Sequence, residues 1–181
     1  METVVADTCA LVSLAIPKAD TDYETAVDPD PLQYLLTGPE VLVPLQVERE
    51  LHEMAGDDDI HAAAATNVLA ASDHYTRVDP LDRAETPENL PDHGLDEGET
   101  AGIVLANAID ADGLLTDEFR SLARVHALLE DATLVTTPRL LRDYARNGHL
   151  RTDQARTLIE TITPHRSWGS NAYVQAVRAT L

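Results

Sequence analysis

Short apolar runs alternate with longer segments of helical periodicity along the chain. The runs are rich in β-branched and leucine residues, which is typical of short buried strands; they are TVVADT, EVLVP, TRVD, GLLT and TLVTT. The segments with a helical pattern are CALVSLA, PLQYLLTG, LQVERELHEMA, DDDIHAAAATNVLAASDHY, residues 97–110, EFRSLARVHALLE and two further stretches through residue 163. This alternation predicts an α/β fold with a short, mostly parallel central sheet flanked by helices. Residues 17–31 and 79–93 are acidic and contain prolines, so we expect loops there.

The length and composition predict one domain and a cytoplasmic location. A chain of 181 residues buries a sizeable core. The amino-terminal segment lacks a basic start and contains Asp7, so it does not resemble a secretory signal. No apolar run approaches the roughly 18 residues that a membrane span needs. Cys9 is the single cysteine, which fits a reducing cytosol, and we interpret it as a small buried thiol rather than a nucleophile.

The number and distribution of charged residues form a second pattern in the sequence. The net charge is −19, which could reflect a basic partner, but the presence of one lysine among 13 basic residues favours a salt-adapted, halophilic surface. The charge is uneven: residues 1–119 hold 27 acidic and 4 basic residues, whereas residues 120–181 hold 5 acidic residues and 9 arginines. Salt adaptation alone does not explain a positive carboxyl-terminal third. Arg139, Arg142 and Arg146 recur there at helical spacing, and they either form a face for RNA or pair with the surplus acids.

Several acids fall where predicted strands end or helices begin. Asp7 ends the first strand, and Asp117 and Glu118 end GLLT. In open α/β sheets, ligands gather at the carboxyl ends of the strands, so these acids are expected at one edge of the sheet. Glu99 lies in the first turn of the helix that precedes GLLT, three residues after Asp96.

Glu50 is placed by helical geometry. In LQVERELHEMA the apolar stripe is formed by Val47, Leu51 and Met54. At about 100° per residue, Glu50 lies roughly 65° from the centre of this stripe and Glu48 lies roughly 95° from it. Glu50 is therefore the acid expected on the rim of the buried face.

Each of these acids also has a purely structural interpretation. Asp96 and Glu99 match a capping box, and Asp7 and Asp117 could be ordinary helix N-caps. Taken as a group with Glu50, they favour a different interpretation. Carboxylates held close together repel one another and raise one another's pKa values, and a divalent cation with a preference for oxygen ligands, Mg²⁺ or Mn²⁺, removes that cost.

Four segments, in order, resemble the motifs of the PIN-domain family. VVADTCALVSLA is similar to the first motif, VPLQVEREL to the second, GETAGIVLA to a segment of one prokaryotic branch, with Gly102 in place of the usual alanine, and LLTDEFRSLAR to the Leu-Thr-Asp motif of that branch. The resemblance covers roughly residues 3–146. It implies a single PIN-like nuclease domain over residues 1–181, with a core at 3–146 and a helical extension at 147–181.

The resemblance implies a metal-dependent nuclease that acts on RNA, with Mg²⁺ or Mn²⁺ as cofactor. Its acidic cluster is expected to consist of Asp7, Glu50, Glu99 and Asp117 as catalytic and metal-binding residues, with Glu118 as a fifth metal ligand. Glu97 and Glu48 are the alternatives to Glu99 and Glu50.

Substrate contacts are expected from four residues. Thr8 and Thr116 could hold a metal-bound water or the scissile phosphate, or could form backbone hydrogen bonds at a helix start. Arg120 and Arg124 lie one turn apart and could contact phosphate, or could be solvated.

Two functions remain open at this point. One is a PIN-type endoribonuclease, which could be the toxin of a toxin–antitoxin pair; the other is a PIN-like module that binds RNA or protein without cleavage. The expected partners are RNA and, less directly, an antitoxin protein and a second copy of the chain. A phosphatase would need a second Asp where this chain has Cys9, and a receiver domain would need a late lysine, whereas Lys18 is the only lysine.

Overall fold

A computed structural model describes residues 1–83 and 86–181. Within these ranges five strands form one parallel sheet in the order β3-β2-β1-β4-β5. The strands are β1 (Thr3–Ala6), β2 (Glu40–Pro44), β3 (Thr76–Val78), β4 (Gly113–Leu115) and β5 (Thr133–Val135). Each strand lies within one of the apolar runs predicted above, and the predicted fold class is confirmed.

Helices occupy the connections and the carboxyl-terminal part of the chain. They are α1 (Thr8–Ala15), α2 (Pro31–Thr37), α3 (Leu45–Met54), α4 (Ile60–Ala70), α5 (Glu97–Ala108), α6 (Leu122–Leu128), α7 (Thr137–Arg146), α8 (Thr152–Ile162) and α9 (Ala172–Arg178). Apart from Pro31, which begins α2, the predicted loops at 17–31 and 79–93 contain only short 3-10 turns among the described residues. Residues 84 and 85, within the second predicted loop, lie outside the described residues. No helix in the described ranges is both long and apolar enough to cross a membrane.

Helix α6 is shorter than the sequence pattern predicts. The expected helix over EFRSLARVHALLE begins only at Leu122, because the chain first makes a tight turn. In this turn the Phe119 amide donates to Asp117 O at 2.9 Å, and the Ser121 amide donates to Glu118 O at 3.2 Å. Asp117 and Glu118 therefore lie in a turn at the end of β4 rather than in a helix.

The sheet is covered on both faces. Alternate strand residues point to opposite faces, so Val4 joins one core cluster and Val5 joins the other. The larger cluster includes residues of α1, α4, α7 and α8, and the smaller one lies beneath α5 and α6. Trp168 and Val174 are buried in the larger cluster, so the carboxyl-terminal segment packs on the same core as the sheet.

The register of the central strands positions the acidic residues. β1 and β4 are parallel neighbours, with Ala6 opposite Leu115. The next residues, Asp7 and Thr116, therefore emerge side by side at the carboxyl edge of the sheet. This edge is where the predicted site lies.

Candidate functional site

The carboxyl edge of the sheet, where Asp7, Glu50, Glu99 and Asp117 lie, is called the acidic edge below. Of these side chains, Asp7 makes the most hydrogen bonds. It is the N-cap of α1, with its Oδ1 accepting from the Thr8 amide at 2.8 Å. Its Oδ2 accepts from the Thr116 hydroxyl at 2.9 Å and from the Cys9 thiol at 2.8 Å. The cap interpretation is therefore confirmed, and the same carboxylate also links β1 to the end of β4.

Burial dominates the electrostatics of Asp7, whose side chain is among the buried polar groups at 4% exposure. Burial raises the pKa of Asp7 to about 7, against the lowering effect of hydrogen bonds from Cys9 and Thr116. The negative charges of Glu50 and Asp96 raise this pKa further. A carboxylic acid that titrates near neutrality is a recurrent feature of functional sites.

Asp117 is held by the start of α7. Its Oδ1 accepts from the Thr137 amide at 2.8 Å, whereas its Oδ2 is buried and has no hydrogen-bond donor within the described ranges. The nearby Ser13 hydroxyl donates to Cys9 O instead, at 2.7 Å. Burial raises the pKa of Asp117; the hydrogen bond from the Thr137 amide opposes this most, followed by the neighbouring hydroxyls of Ser13 and Thr137 and last by the charge of Arg166. Asp117 is not an N-cap of its own helix, so that alternative is wrong.

Cys9 connects the two buried aspartates. Its sulfur donates to Asp7 Oδ2 at 2.8 Å and accepts from the Asp117 amide at 3.1 Å. Burial and the charges of Asp7 and Asp117 raise the pKa of this thiol well above its usual value, so it stays protonated and remains a donor. The sequence interpretation of Cys9 as a packed thiol missed this role, and only its position two residues after Asp7 could have indicated it.

Glu50 approaches the edge from α3. It is half-buried and accepts a short hydrogen bond from the Thr8 hydroxyl. Its carboxylate lies against the amino-terminal turn of α5, where a methyl group built on Gly98 would meet Glu50 Oε1 at 2.4 Å. Burial is the main reason that the pKa of Glu50 is raised. The alternative residue, Glu48, contacts Arg77 at 3.3 Å instead.

Glu99 closes the capping box that the sequence predicts. Its backbone amide donates to Asp96 Oδ1 at 2.7 Å, and its Oε2 accepts from the Asp96 amide at 3.3 Å. Its Oε1 accepts from the Ser121 hydroxyl at 2.9 Å. Burial raises the pKa of Glu99, whereas Glu97 lies on the surface in an ion pair with Arg49 at 2.8 Å.

Two further acids act on this cluster through their charge. The charge of Asp96 raises the pKa of Asp7, Glu50 and Glu99. Glu118 raises the pKa of Glu99 and accepts from the Arg120 amide at 3.1 Å. Sequence reasoning assigned Asp96 only to helix capping, because a cap and a site residue have the same signature at that position.

These carboxylates lie along the same edge of the sheet, but their oxygens do not converge on one position. Asp7, Glu99 and Thr116 line the same crevice, which is too narrow to hold a water molecule. Among residues 1–83 and 86–181, no three acidic, histidine or cysteine side chains are arranged to hold a metal ion. Amide, hydroxyl and thiol donors of the protein instead occupy oxygens of Asp7, Glu50 and Glu99. Asp117 Oδ2 is the exception.

The expected substrate contacts divide into two kinds. The hydroxyls of Thr8 and Thr116 donate to Glu50 and Asp7, and that of Thr116 also accepts from a backbone amide. Both threonines therefore organise carboxylates. Arg120 and Arg124 are exposed, and Arg124 donates to Gly94 O at 3.1 Å, so it fastens the loop that leads into α5.

The three α7 arginines do not face the acidic edge. Arg139 lines a cavity of about 740 Å³ at the opposite, amino edge of the sheet, together with residues that precede β2 and β4. Arg142 pairs with Asp143 at 2.7 Å, and Arg139 lies 3.7 Å from the same carboxylate. Arg146 donates to Thr180 O. Arg139 and Arg142 therefore match the second alternative, in which the arginines pair with acidic residues. They lie away from the acidic edge because α7 begins at the carboxyl edge of the sheet and runs away from it.

A comparison with protein-family models assigns residues 30–181 to a family described as DUF3368: PIN domain. No curated protein sequence matched the chain. The matched range contains Glu50, Glu99 and Asp117 and begins after Asp7. It also runs through α8 and α9, beyond the segment that carried the sequence resemblance.

Proposed function

The chain belongs to the PIN-domain family, and from this membership we propose that it is a metal-dependent endoribonuclease that hydrolyses RNA phosphodiester bonds. PIN domains are generally nucleases and typically use divalent metals. We further propose that residues 1–181 act as one domain. The common hydrophobic core of the sheet and the carboxyl-terminal helices supports this unit.

One observation carries the proposal: two aspartates that follow neighbouring parallel strands are both buried at the carboxyl edge. Asp7 and Asp117 are 4% and 5% exposed. Burying ionised carboxylates is costly unless they are paired or bind a cation. No ion pair within the described ranges joins either of them to an arginine or lysine. A cation is the partner whose charge would offset this cost.

The donor set is of the kind that hard divalent cations prefer. Asp7 and Asp117 are the proposed metal ligands, with Glu50, Glu99 and Glu118 as further ligands, directly or through water. The unpartnered Oδ2 of Asp117 supports this assignment, because a buried acceptor without a donor is rare in native proteins. The hydroxyl and thiol donors that occupy the other carboxylates are neutral, so exchanging them for a cation leaves no buried charge unpaired.

A bound Mg²⁺ or Mn²⁺ lowers the pKa of a water molecule and neutralises charge on a phosphate. The protein's own part is to orient Asp7 and Asp117 and, through their hydrogen bonds, to oppose the rise in pKa that burial causes. Thr116 and Cys9 hold Asp7, and the Thr137 amide holds Asp117. Glu50, whose pKa is raised by burial, is the proposed proton acceptor, because a raised pKa brings a carboxylate closer to working as a base near neutrality.

The test is cleavage of a labelled single-stranded RNA in the presence of Mn²⁺ or Mg²⁺. Wild-type protein should cut it, and chelation by EDTA should stop the reaction. Asp7→Asn and Asp117→Asn should each abolish cleavage while the circular dichroism spectrum is unchanged. The control is Asp57→Asn with Asp58→Asn, which removes exposed acids in the turn after α3 and should cut normally. Cleavage by Asp7→Asn at the wild-type rate would show that the site is assigned wrongly.

The toxin role, the antitoxin partner and the homodimer are finer parts of the same proposal. A ribonuclease toxin should arrest growth when it is expressed without its partner, and Asp7→Asn should relieve the arrest. Light scattering of the purified protein gives the number of copies. RNA binding without any metal-dependent cleavage would instead favour a non-catalytic binding module.

A further inference from the structure

The chain has few aromatic residues, and three of them form a cluster close to Asp117. It has one phenylalanine, one tryptophan and five tyrosines. Phe119, two residues after Asp117, packs against Trp168 with ring centroids 6.0 Å apart and against Tyr173 at 5.8 Å. Trp168 is buried, but Tyr173 is 38% exposed. The cluster thus reaches from the core to the surface at the acidic edge.

Two contacts hold the side chain of Tyr173, and one holds its backbone. Its hydroxyl lies 3.3 Å from the Thr136 hydroxyl, and Phe119 supports the ring. Its amide donates to the side chain of Asn171, the N-cap of α9, at 3.0 Å. Thr136 immediately precedes Thr137, the residue whose amide holds Asp117. The side chain is therefore held in place near a proposed metal ligand, on a residue that is 38% exposed.

A cation belongs to the same segment as the aromatic cluster. Arg166 is half-buried, and its carbonyl accepts from the amide of Trp168 at 2.6 Å, the residue whose ring packs on Phe119. Its charge also acts on Asp117. No carboxylate within the described ranges lies within 4.0 Å of its guanidinium, in contrast to Arg142 and Arg178, which form ion pairs at 2.7 Å. The positive charge that reaches the acidic edge thus comes from the segment before α9 and is not neutralised by direct contact.

We propose that Tyr173 and Arg166 form the substrate platform of this site, on which an unpaired RNA base stacks against the Tyr173 ring while its phosphate contacts Arg166. This rests on the proposed nuclease function and names two residues that position its substrate. Every base has a π face, so a fixed aromatic ring binds single-stranded nucleic acid with little sequence preference. A chain with net charge −19 repels a polyanion, so binding depends on a local cation next to the cluster.

The experiment measures the affinity of a fluorescently labelled 12-nucleotide RNA by anisotropy in EDTA, which prevents cleavage. Tyr173→Ala should weaken binding about tenfold, whereas Tyr173→Phe, which keeps the ring, should bind within about twofold of wild type. Arg166→Gln should weaken binding and reduce the salt dependence by about one phosphate contact. Arg142→Gln is the matched control and should bind normally, since Arg142 is paired with Asp143.

RNAs with one abasic position each provide the specific readout. One abasic position should weaken binding to wild type about tenfold but leave binding to Tyr173→Ala unchanged, because the ring that the base stacks on is already missing. Fluorescence of Trp168, the only tryptophan, should keep its emission maximum in every variant and so report an intact cluster.

Several results would overturn the platform. They are unchanged affinity of Tyr173→Ala, equal losses in Tyr173→Ala and Tyr173→Phe, and no RNA binding by wild type. A changed oligomer mass with unchanged RNA affinity would make the patch a protein contact instead. The two proposals fail in different ways. If Tyr173→Ala cleaves RNA and binds it with unchanged affinity, only the substrate platform is rejected. If RNA binding depends on the Tyr173 ring but no metal-dependent cleavage occurs, only the nuclease activity is rejected.

Discussion

The Thr116 hydroxyl donates to Asp7 Oδ2 across 2.9 Å, although the two residues lie 109 positions apart. This bond joins the ends of two neighbouring parallel strands. It fixes the orientation of Asp7, because the other oxygen of the carboxylate already accepts from the Thr8 amide. Asp7 is thus oriented by both strands rather than by its own helix alone.

Thr116→Val should therefore change both stability and the pH dependence of cleavage. A lost hydrogen bond to a buried carboxylate costs about 1–3 kcal/mol. The hydroxyl also lowers the pKa of Asp7, so its removal should raise that pKa and move the rise of activity to higher pH. The measurement is a cleavage profile from pH 5 to pH 9, beside chemical denaturation. Thr116→Ser keeps the donor and is the control; identical profiles for the two variants would contradict the assigned role.

The raised pKa of Asp7 makes stability depend on pH. The native state holds the Asp7 proton up to about pH 7, whereas the unfolded chain releases it near 3.8. In the presence of EDTA, the free energy of unfolding should fall as pH rises between these values, by about 4 kcal/mol from this group. Asp7→Asn lacks the titration, so its stability relative to wild type should increase from pH 4 to pH 8. Denaturant titrations at four pH values test this; a constant difference would rule it out.

Metal should stabilise the wild type through its buried aspartates. At a hundredfold excess over the dissociation constant, binding adds about 2.7 kcal/mol, which corresponds to about 5–10 °C in melting temperature. Mn²⁺ should produce this shift in wild type and in Asp57→Asn with Asp58→Asn. In the double variant Asp7→Asn with Asp117→Asn, Mn²⁺ should shift the melting temperature much less. All measurements require one fixed high salt concentration, because the acidic surface also responds to ionic strength. Equal shifts in all three proteins would assign the effect to that surface.

Gly98 should be required for the position of Glu50. A methyl group at residue 98 would lie 2.4 Å from Glu50 Oε1 and 2.8 Å from Oε2, so Gly98→Ala must displace the carboxylate. The end of a glutamate side chain moves easily, so the fold should survive and the helix should gain up to about 1 kcal/mol from propensity. Cleavage should fall while the melting temperature is kept.

The control for this variant is Gly169→Ala, since a methyl group there meets no heavy atom within 4 Å. It should cleave normally. Full activity of Gly98→Ala would mean that Glu50 does not need its position against α5. Partial recovery in Gly98→Ala with Glu50→Asp, whose shorter side chain withdraws from residue 98, would identify the clash as the cause.

Much of the architecture is predictable from local pattern. The apolar runs found all the strands of the described sheet, since burial on both faces requires continuous apolar residues. The capping box at Asp96 and Glu99 was also predictable, because capping depends only on residues three apart. Helix α6 was predicted too long, because the turn at residues 117–121 depends on contacts with the ends of other strands.

The site itself was only partly predictable. Helical geometry favoured Glu50 over Glu48, and the structure places Glu50 at the Thr8 hydroxyl while Glu48, itself largely buried, pairs with Arg77. The role of the arginines was not predictable, because pairing depends on which residues face each other across elements. Helical spacing alone could not distinguish an RNA face in α7 from the contacts of Arg139 and Arg142 with Asp143.

The sequence by itself determined the α/β class, the strands and the acids that follow them, because hydrophobic period and strand ends are local properties of the chain. Only the tertiary structure decided that the Cys9 thiol links Asp7 to Asp117, that Thr116 bonds Asp7, and that Tyr173 and Arg166 lie beside this edge. These relationships join residues up to 109 positions apart, and their existence depends on strand order and register. Order and register are set by how both faces of the whole sheet are covered, which no local window of sequence contains.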